Sequence, residues 1–306
     1  MFGAIGKRTL VPTLGGNNGD VSAINNAGIV LGFAETAVHD TSCIAPQVLG
    51  TEAFQWDADS GEIRVLAPLQ GDTVTAAFDM NQHGNAVGAS GICGQGLALT
   101  SALHAVIWRN SSPTDLGSLG GSYGNLGNSI NNHVHVVGQS DLPGDTTTHG
   151  FLWTEDRGIQ DLGTLPGDVS SSANQINDHG RVAGQSCDAA GNCRAVIWQD
   201  GAITDLNSLI PADSTLFLLS ATAINSHGQI AGSAFDQNTG AIVPFLATPC
   251  NEHHADDQEC RHASHDTLST RERPKITLPE NVRKQLQQRL ALGRFRTGSG
   301  QLGRAE

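Results

Sequence analysis

Two of the chain's apolar patterns repeat. AVIW (105–108), GFLW (150–153) and AVIW (195–198) are apolar at every position, with variant copies AFQW (53–56) and PFLA (244–247). Successive side chains of a strand point to opposite faces, so a strand of this kind has no face for water and must be covered on both sides. The second pattern is AINNAGIVLGF from Ala23, DMNQHGNAVGAS from Asp79, SINNHVHVVGQS from Ser129, QINDHGRVAGQS from Gln175 and AINSHGQIAGS from Ala223. In each copy Ile or Met precedes an Asn, and in four of the five a Gly follows three residues later. This predicts a hairpin, because the Asn side chain caps its own turn and Gly accepts positive φ at the last turn position. A second Gly stands seven residues after the Asn in every copy, at Gly32, Gly88, Gly138, Gly184 and Gly232. Inside a strand such a Gly predicts a bulge or a close backbone approach.

A third phrase travels with these in fixed order: DLGSLGG (115–121), DLGTLPG (161–167) and DLNSLIP (205–211), with looser versions VLAPLQG (65–71) and LVPTLGG (10–16). The unit is therefore about four short strands, recurring every 46 to 56 residues. Four-stranded antiparallel units apolar on both faces and joined by Gly-rich turns are what a propeller blade requires, since each blade is sandwiched between neighbours. The fold class expected is all-β, a five-bladed β-propeller over residues 1–249, followed by a polar loop and a helical tail at 250–306. The phrase at 10–16 matches only the last strand of a unit and the one at 244–247 only the third, so closure is expected by pairing of Leu10–Leu14 with Pro244–Thr248. Closure would hide two sheet edges.

Together the DLGxLxG, INxxGxVxGxS and AFxW phrases resemble those of the HAF-repeat family, extracellular repeat proteins of bacteria. The chain departs from the pattern at Val134, which replaces a turn Gly, and in its last copy, which lacks the Trp. The resemblance implies an exported repeat protein and no particular activity.

Charge narrows the partners. Net charge is −13, and residues 1–249 hold 7 Lys and Arg against 22 Asp and Glu. An acidic body repels phosphate backbones, which argues against nucleic acid. No run of 18 apolar residues is present, so no transmembrane segment is expected, and the first residues lack the apolar stretch of a signal peptide. The six cysteines fall into three plausible pairs: Cys187 with Cys193 across one loop, Cys250 with Cys260, and Cys43 with Cys93 in the same loop of consecutive units. An even, fully paired set suits an oxidising compartment, secreted or periplasmic.

Candidate chemistry is sparse. GGSYG (120–124) satisfies G-x-S-x-G, but Ser122 falls in a loop between strands rather than at a strand-to-helix turn. His83, His133, His179 and His227 share one turn position, a ring too wide for a single ion. The Asp-rich loops 56–62 and 140–149 lack a full calcium series. The cluster of Cys and His at 250–265 matches no zinc spacing. No cofactor or metal is expected. A glycosidase would need carboxylates converging in a central funnel, and only Asp20 and Asp79 lie on the innermost strands; that is the alternative reading. The leading reading is a monomeric binding or surface module for an unknown protein or glycan, with Tyr123, Asp20 and Asp79 as ligand-face candidates. After residue 250, Val282, Leu286 and Leu290 at helical spacing predict one basic amphipathic helix.

Overall fold

The computed structural model of the chain describes residues 8–45, 47–93, 103–211, 213–250, 276–280 and 282–283. Among these residues nineteen strands form five antiparallel sheets. The first holds β1 (Gly15–Ile24), β2 (Ile29–His39), β3 (Leu49–Asp57) and β4 (Ile63–Leu66). The second holds β5 (Val74–Met80), β6 (Ala86–Gly91), β7 (His104–Arg109) and β8 (Ser112–Asp115). The third holds β9 (Leu126–Ile130), β10 (Val136–Asp141), β11 (Thr148–Thr154) and β12 (Gly158–Asp161). The fourth holds β13 (Ser170–Ile176), β14 (Val182–Cys187), β15 (Cys193–Gln199) and β16 (Ala202–Asp205). The fifth has three strands, β17 (Leu216–Ile224), β18 (Ile230–Asp236) and β19 (Ala241–Ala247). Within each sheet the strands lie in chain order, and the first strand of each packs on the sheet before it, as in consecutive blades.

The recurrent Asn makes the hairpin turns and also joins the sheets. Asn131 Oδ1 accepts from the backbone N–H of His133 and His135 at 3.0 and 2.9 Å, and Asn25, Asn81, Asn177 and Asn225 repeat the pattern on their own turns. The amide then reaches forward: Asn81 Nδ2 donates to the Asn131 carbonyl, Asn131 to Asn177 and Asn177 to Asn225, at 2.9 to 3.1 Å. Buried polar groups need partners, and this ladder supplies them. Asn225, whose turn no following sheet covers, donates instead to Gln229 of its own hairpin.

The second recurrent Gly sits opposite a bulge. The register shifts between Ala77 and Asp79, between Ala173 and Gln175, and at the matching points of the other three sheets. A Cβ added to Gly32, Gly88, Gly138, Gly184 or Gly232 would run into the carbonyl oxygen of Asp20, Ala76, Leu126, Ser172 or Ser220 respectively. The extra residue of the bulge is aimed at the next sheet: Ser22 Oγ, Asn128 Nδ2 and Asn174 Nδ2 donate to the carbonyls of Ala77, Ala173 and Ala221.

The Trp strand and the DLGxLxG phrase meet between sheets. Leu66 and Leu69 pack with Val106 and Trp108, Leu116 and Leu119 with Phe151 and Trp153, and Leu162 and Leu165 with Val196 and Trp198. Trp108 and Trp198 donate their indole N–H to the carbonyls of Ala67 and Leu162. The Ser that closes the hairpin phrase accepts from the same loop: Leu69, Leu119 and Leu165 N–H donate to Ser90, Ser140 and Ser186.

The expected pairing of Leu10–Leu14 with Pro244–Thr248 is not formed. Val11 and Leu14 pack against Phe54 and Trp56 of the first sheet, as Leu116 and Leu119 pack on the third, and Leu14 bridges Thr36. Burial of this Val and Leu pair holds the segment on the first sheet, while among the described residues β19 pairs only with β18 and the fifth sheet has no fourth strand. Its outward face is covered in part by the tail: Ile276, Leu278 and Val282 pack on Phe217, Leu219, Phe235 and Ile242. Leu278 N–H donates to Asn192 Oδ1 and Arg283 to the Ala190 carbonyl. A helical turn starts at Glu280, as the sequence predicts; Leu286 and Leu290 lie outside the described residues.

Candidate functional site

Disulfides fasten two of the loops. Cys43 is bonded to Cys93, joining the first and second sheets, and Cys187 to Cys193, which face each other across β14 and β15 with Cα atoms 4.0 Å apart. Cys250 is also disulfide-bonded, and its expected partner Cys260 lies outside the described residues, as does the rest of the Cys and His cluster. Among the described residues the one group with three potential metal ligands in reach of each other is Asp40, Cys43 and Cys93, and its two sulfurs are bonded to each other.

The sequence candidates are scattered. Asp79 accepts from Ser129 Oγ at 2.6 Å and from Ile130 N–H at 3.1 Å, so its carboxylate ties the second sheet to the third. Asp20 accepts from the N–H of Val21 on the exposed strand β1. Neither lines either of the two depressions on the face of the Asn turns. Tyr123 is exposed, and the N–H groups of Ser122 and Tyr123 both donate to Asp145 in the loop between β10 and β11. Burial raises the pKa of neighbouring Asp141 despite its bond from Thr148. The four turn histidines stand on separate hairpins, each donating its backbone N–H to its Asn. In the Asp-rich loop 56–62, Asp57 Oδ1 accepts from Asp59 and Ser60 N–H and so caps its own turn.

Two depressions open on the face that carries the Asn turns. One, about 170 Å³, lies over the Asn ladder and is lined by Asn81, Asn131, Asn177 and Asp178. The Asn132 backbone and amide hold the Asp178 carboxyl below its usual range. The larger, about 400 Å³, lies between the first two sheets, where the β1–β2, β3–β4, β5–β6 and β7–β8 turns converge. Its walls offer Gln55, Asp57, Glu62, Arg64, Gln82, His83, Asn110 and Ser111. Arg64 clamps Glu62 through two bonds of 2.9 and 3.1 Å and lowers its pKa, while the Ser60 and Asp59 backbones lower that of Asp57. Both carboxylates are thus held charged beside one guanidinium. The side chains of His83, Asn110 and Ser111 make no hydrogen bond among the described residues.

The rim of this cleft is strained. Asn110 and Ser111 form the two-residue turn between β7 and β8 with φ of 49° and 64°. In the fourth sheet the same turn is Asp200 and Gly201. Both central positions of such a turn need positive φ, which Asn and Gly adopt readily and Ser at a cost of about 1–2 kcal/mol. Alignment of AVIWRNSSPTDL with AVIWQDGAITDL shows this exchange of Gly for Ser in the sequence, a signal the candidate residues above do not include.

No protein-family model and no curated protein matches the chain. Solved structures with a similar fold include TolB from Acinetobacter baumannii, 10% identical with a TM-score of 0.44 over 74% of this chain and 53% of that one. An acylaminoacyl peptidase from Pyrococcus horikoshii is 10% identical with a TM-score of 0.46, covering 76% of this chain and 37% of the other. The β-propeller domain of the Trilobed protease from Pyrococcus furiosus is 8% identical with a TM-score of 0.36, covering 75% and 81%. The chain thus spans about half of TolB and less of the peptidase.

Proposed function

We propose that the protein is a β-propeller binding module of an oxidising compartment, periplasmic or extracellular, that holds a polar, hydroxyl-rich ligand such as a glycan segment in the cleft between its first two sheets. One observation carries this reading: the cleft is rimmed by a strained turn and by His83, Asn110 and Ser111, whose side chains make no hydrogen bond among the described residues, whereas Gln55, Gln82 and Asp57 beside them are tied into sheets and turns. Strained backbone is kept where the surroundings or a function require it. A volume of about 400 Å³ falls within the range of small-molecule sites. The lining gives hydrogen-bond donors and acceptors in both senses and no aromatic platform, so recognition rests on hydroxyl contacts. A reducing pool would open the loop disulfides, and the resemblance to the HAF-repeat family implies the same compartment.

Calorimetry and thermal shift against a panel of neutral di- to hexasaccharides test the cleft. A ligand at 100 times its Kd should add about 2.7 kcal/mol to stability. Ser111→Gly should raise stability by about 1 kcal/mol through relief of the left-handed turn, yet weaken binding, and His83→Ala should weaken binding alone. A panel without any shift, or binding unchanged in both variants, rejects the cleft as the site. Compartment is read separately. Protein from its native host, alkylated without reduction, should carry no label on Cys43, Cys93, Cys187 or Cys193; label on all four would place it in a reducing pool.

A further inference from the structure

Among the described residues the first end of the sheet stack is uncovered and the other is covered only in part, and the chain carries the complement of each. The residue before the hairpin Asn packs backward onto the preceding sheet: Met80, Ile130, Ile176 and Ile224 are 5–6% exposed, but Ile24 of the first sheet is 68% exposed. Val21 is 53% exposed, whereas Ala77, Ala173 and Ala221 at the same register are fully buried. At the other end, Leu246 of β19 holds the register of Ile107 and Ile197, which receive the next sheet. Ile107 is fully buried and Leu246 is 67% exposed. The tail segment at 276–283 covers Phe235 and Ile242 on this face and leaves Pro244 and Leu246 open.

The hydrogen-bonding edges match in the same way. In the four complete sheets the strand before the DLGxLxG loop pairs with the Trp strand, as Thr204 does with Ile197 and Asp205 with Val196. By the repeat register Thr9 and Leu10 correspond to Thr204 and Asp205, and Phe245 and Leu246 to Val196 and Ile197. Thr9 and Leu10 belong to no strand, and Leu10 is 94% exposed. The loop that follows is already in place, with Val11 and Leu14 on Trp56. Among the described residues one end therefore offers a sheet without its fourth strand, and the other a fourth-strand segment lying beside an open sheet face.

We propose that these two ends form a head-to-tail interface between copies of this chain, in which β19 of one copy docks on the open face of β1 in the next and pairs with its residues 8–10. The fit follows the four sheet-to-sheet interfaces already present within the chain. Because the two surfaces differ, a copy engaged at one end still offers the other, and association continues until a ring closes or the protein runs out. An unpaired, apolar edge strand is also what such addition requires.

Cysteine crosslinking of the full chain tests this. Thr9→Cys and Leu246→Cys variants, mixed and mildly oxidised, should give a covalent dimer on a non-reducing gel, while neither alone should do so. The double variant should give a ladder. Light scattering of the wild type should show mass rising above one chain with concentration, and Leu246→Asp, an exposed site that leaves the fold intact by circular dichroism, should abolish the rise. A double variant that crosslinks only within single chains would show that the ends meet in one molecule and would overturn the proposal. So would a constant single-chain mass with no crosslink.

Discussion

Gly138→Ala is expected to remove most of the protein's stability, by about 4 kcal/mol or more, where most single substitutions cost about 0.5–3. The Cβ it introduces collides with the Leu126 carbonyl oxygen and lies 2.8 Å from Cε1 of Phe151, which is fully buried. Relief requires β9 and β10 to part at the bulge. That motion draws the Asn128 side chain away from the Ala173 carbonyl at 2.9 Å and loosens Phe151 among Leu116, Ile130 and Trp153. Overpacking of a rigid core alone costs about 1–3 kcal/mol, and here a lost inter-sheet bond is added. Gly144→Ala is the control: its φ of 92° is strained for Ala, but nothing stands within 4 Å of the added carbon. It should cost about 1 kcal/mol. Urea unfolding of both variants decides the matter, and a Gly138→Ala protein within 1 kcal/mol of wild type would mean that the sheets separate easily at this point.

The recurrent glycines were legible because steric demand leaves a residue type behind it: only Gly fits where a carbonyl comes so close. The hairpin Asn was legible for its local task, the capping of its own turn. Its second task was not. Nothing in INxxG tells a reader that Nδ2 reaches the carbonyl of the next sheet's Asn, because that contact depends on how two sheets stack. Ser90, Ser140 and Ser186 are alike in this, each accepting from a loop about 20 residues earlier. The pairing of Cys43 with Cys93 could be read from matching loop positions in adjacent units, since register between repeats is a form of distance. Ring closure could not. The same matching that relates residues 10–16 to a fourth strand is satisfied by Val11 and Leu14 resting on Trp56, and side-chain burial fixes that contact without the backbone pairing. Asp20 and Asp79 illustrate the limit for sites: they lie on β1 and β5, the first strands of their sheets, but the role of Asp79 is set by Ser129 and Ile130, 50 and 51 residues away. The cleft escaped notice because four different turns build it, and only the Ser in place of Gly at 111 marks it in the chain.

Asn131→Ala tests the ladder that joins the sheets, and the expected loss is about 3–4 kcal/mol. Asn131 is 4% exposed, and its removal leaves the N–H groups of His133 and His135 without their acceptor and takes from the Asn177 carbonyl its link to the preceding sheet, leaving it only the Gly180 N–H of its own turn. Each N–H left without a partner costs about 1–3 kcal/mol, the lost bond between sheets adds about 1, and the total falls short of the sum because the turn relaxes toward water. Asn225→Ala separates the two tasks of this residue, since Asn225 is exposed, caps its turn in the same way and reaches no further sheet. It should cost about 1 kcal/mol, the worth of a turn cap alone. Asn131→Asp keeps the acceptor that holds the turn but points a carboxylate at the Asn177 carbonyl. Repulsion raises the folded-state pKa of this new group above its unfolded value near 4, so the protonated acid is the form the fold prefers. The penalty should therefore be full at neutral pH and shrink as pH falls through the raised value, when the acid proton can replace the lost donor. Equal losses in Asn131→Ala and Asn225→Ala, or a penalty in Asn131→Asp that does not change with pH, would leave the turn cap as the whole role of the Asn and remove the ladder as a link between sheets.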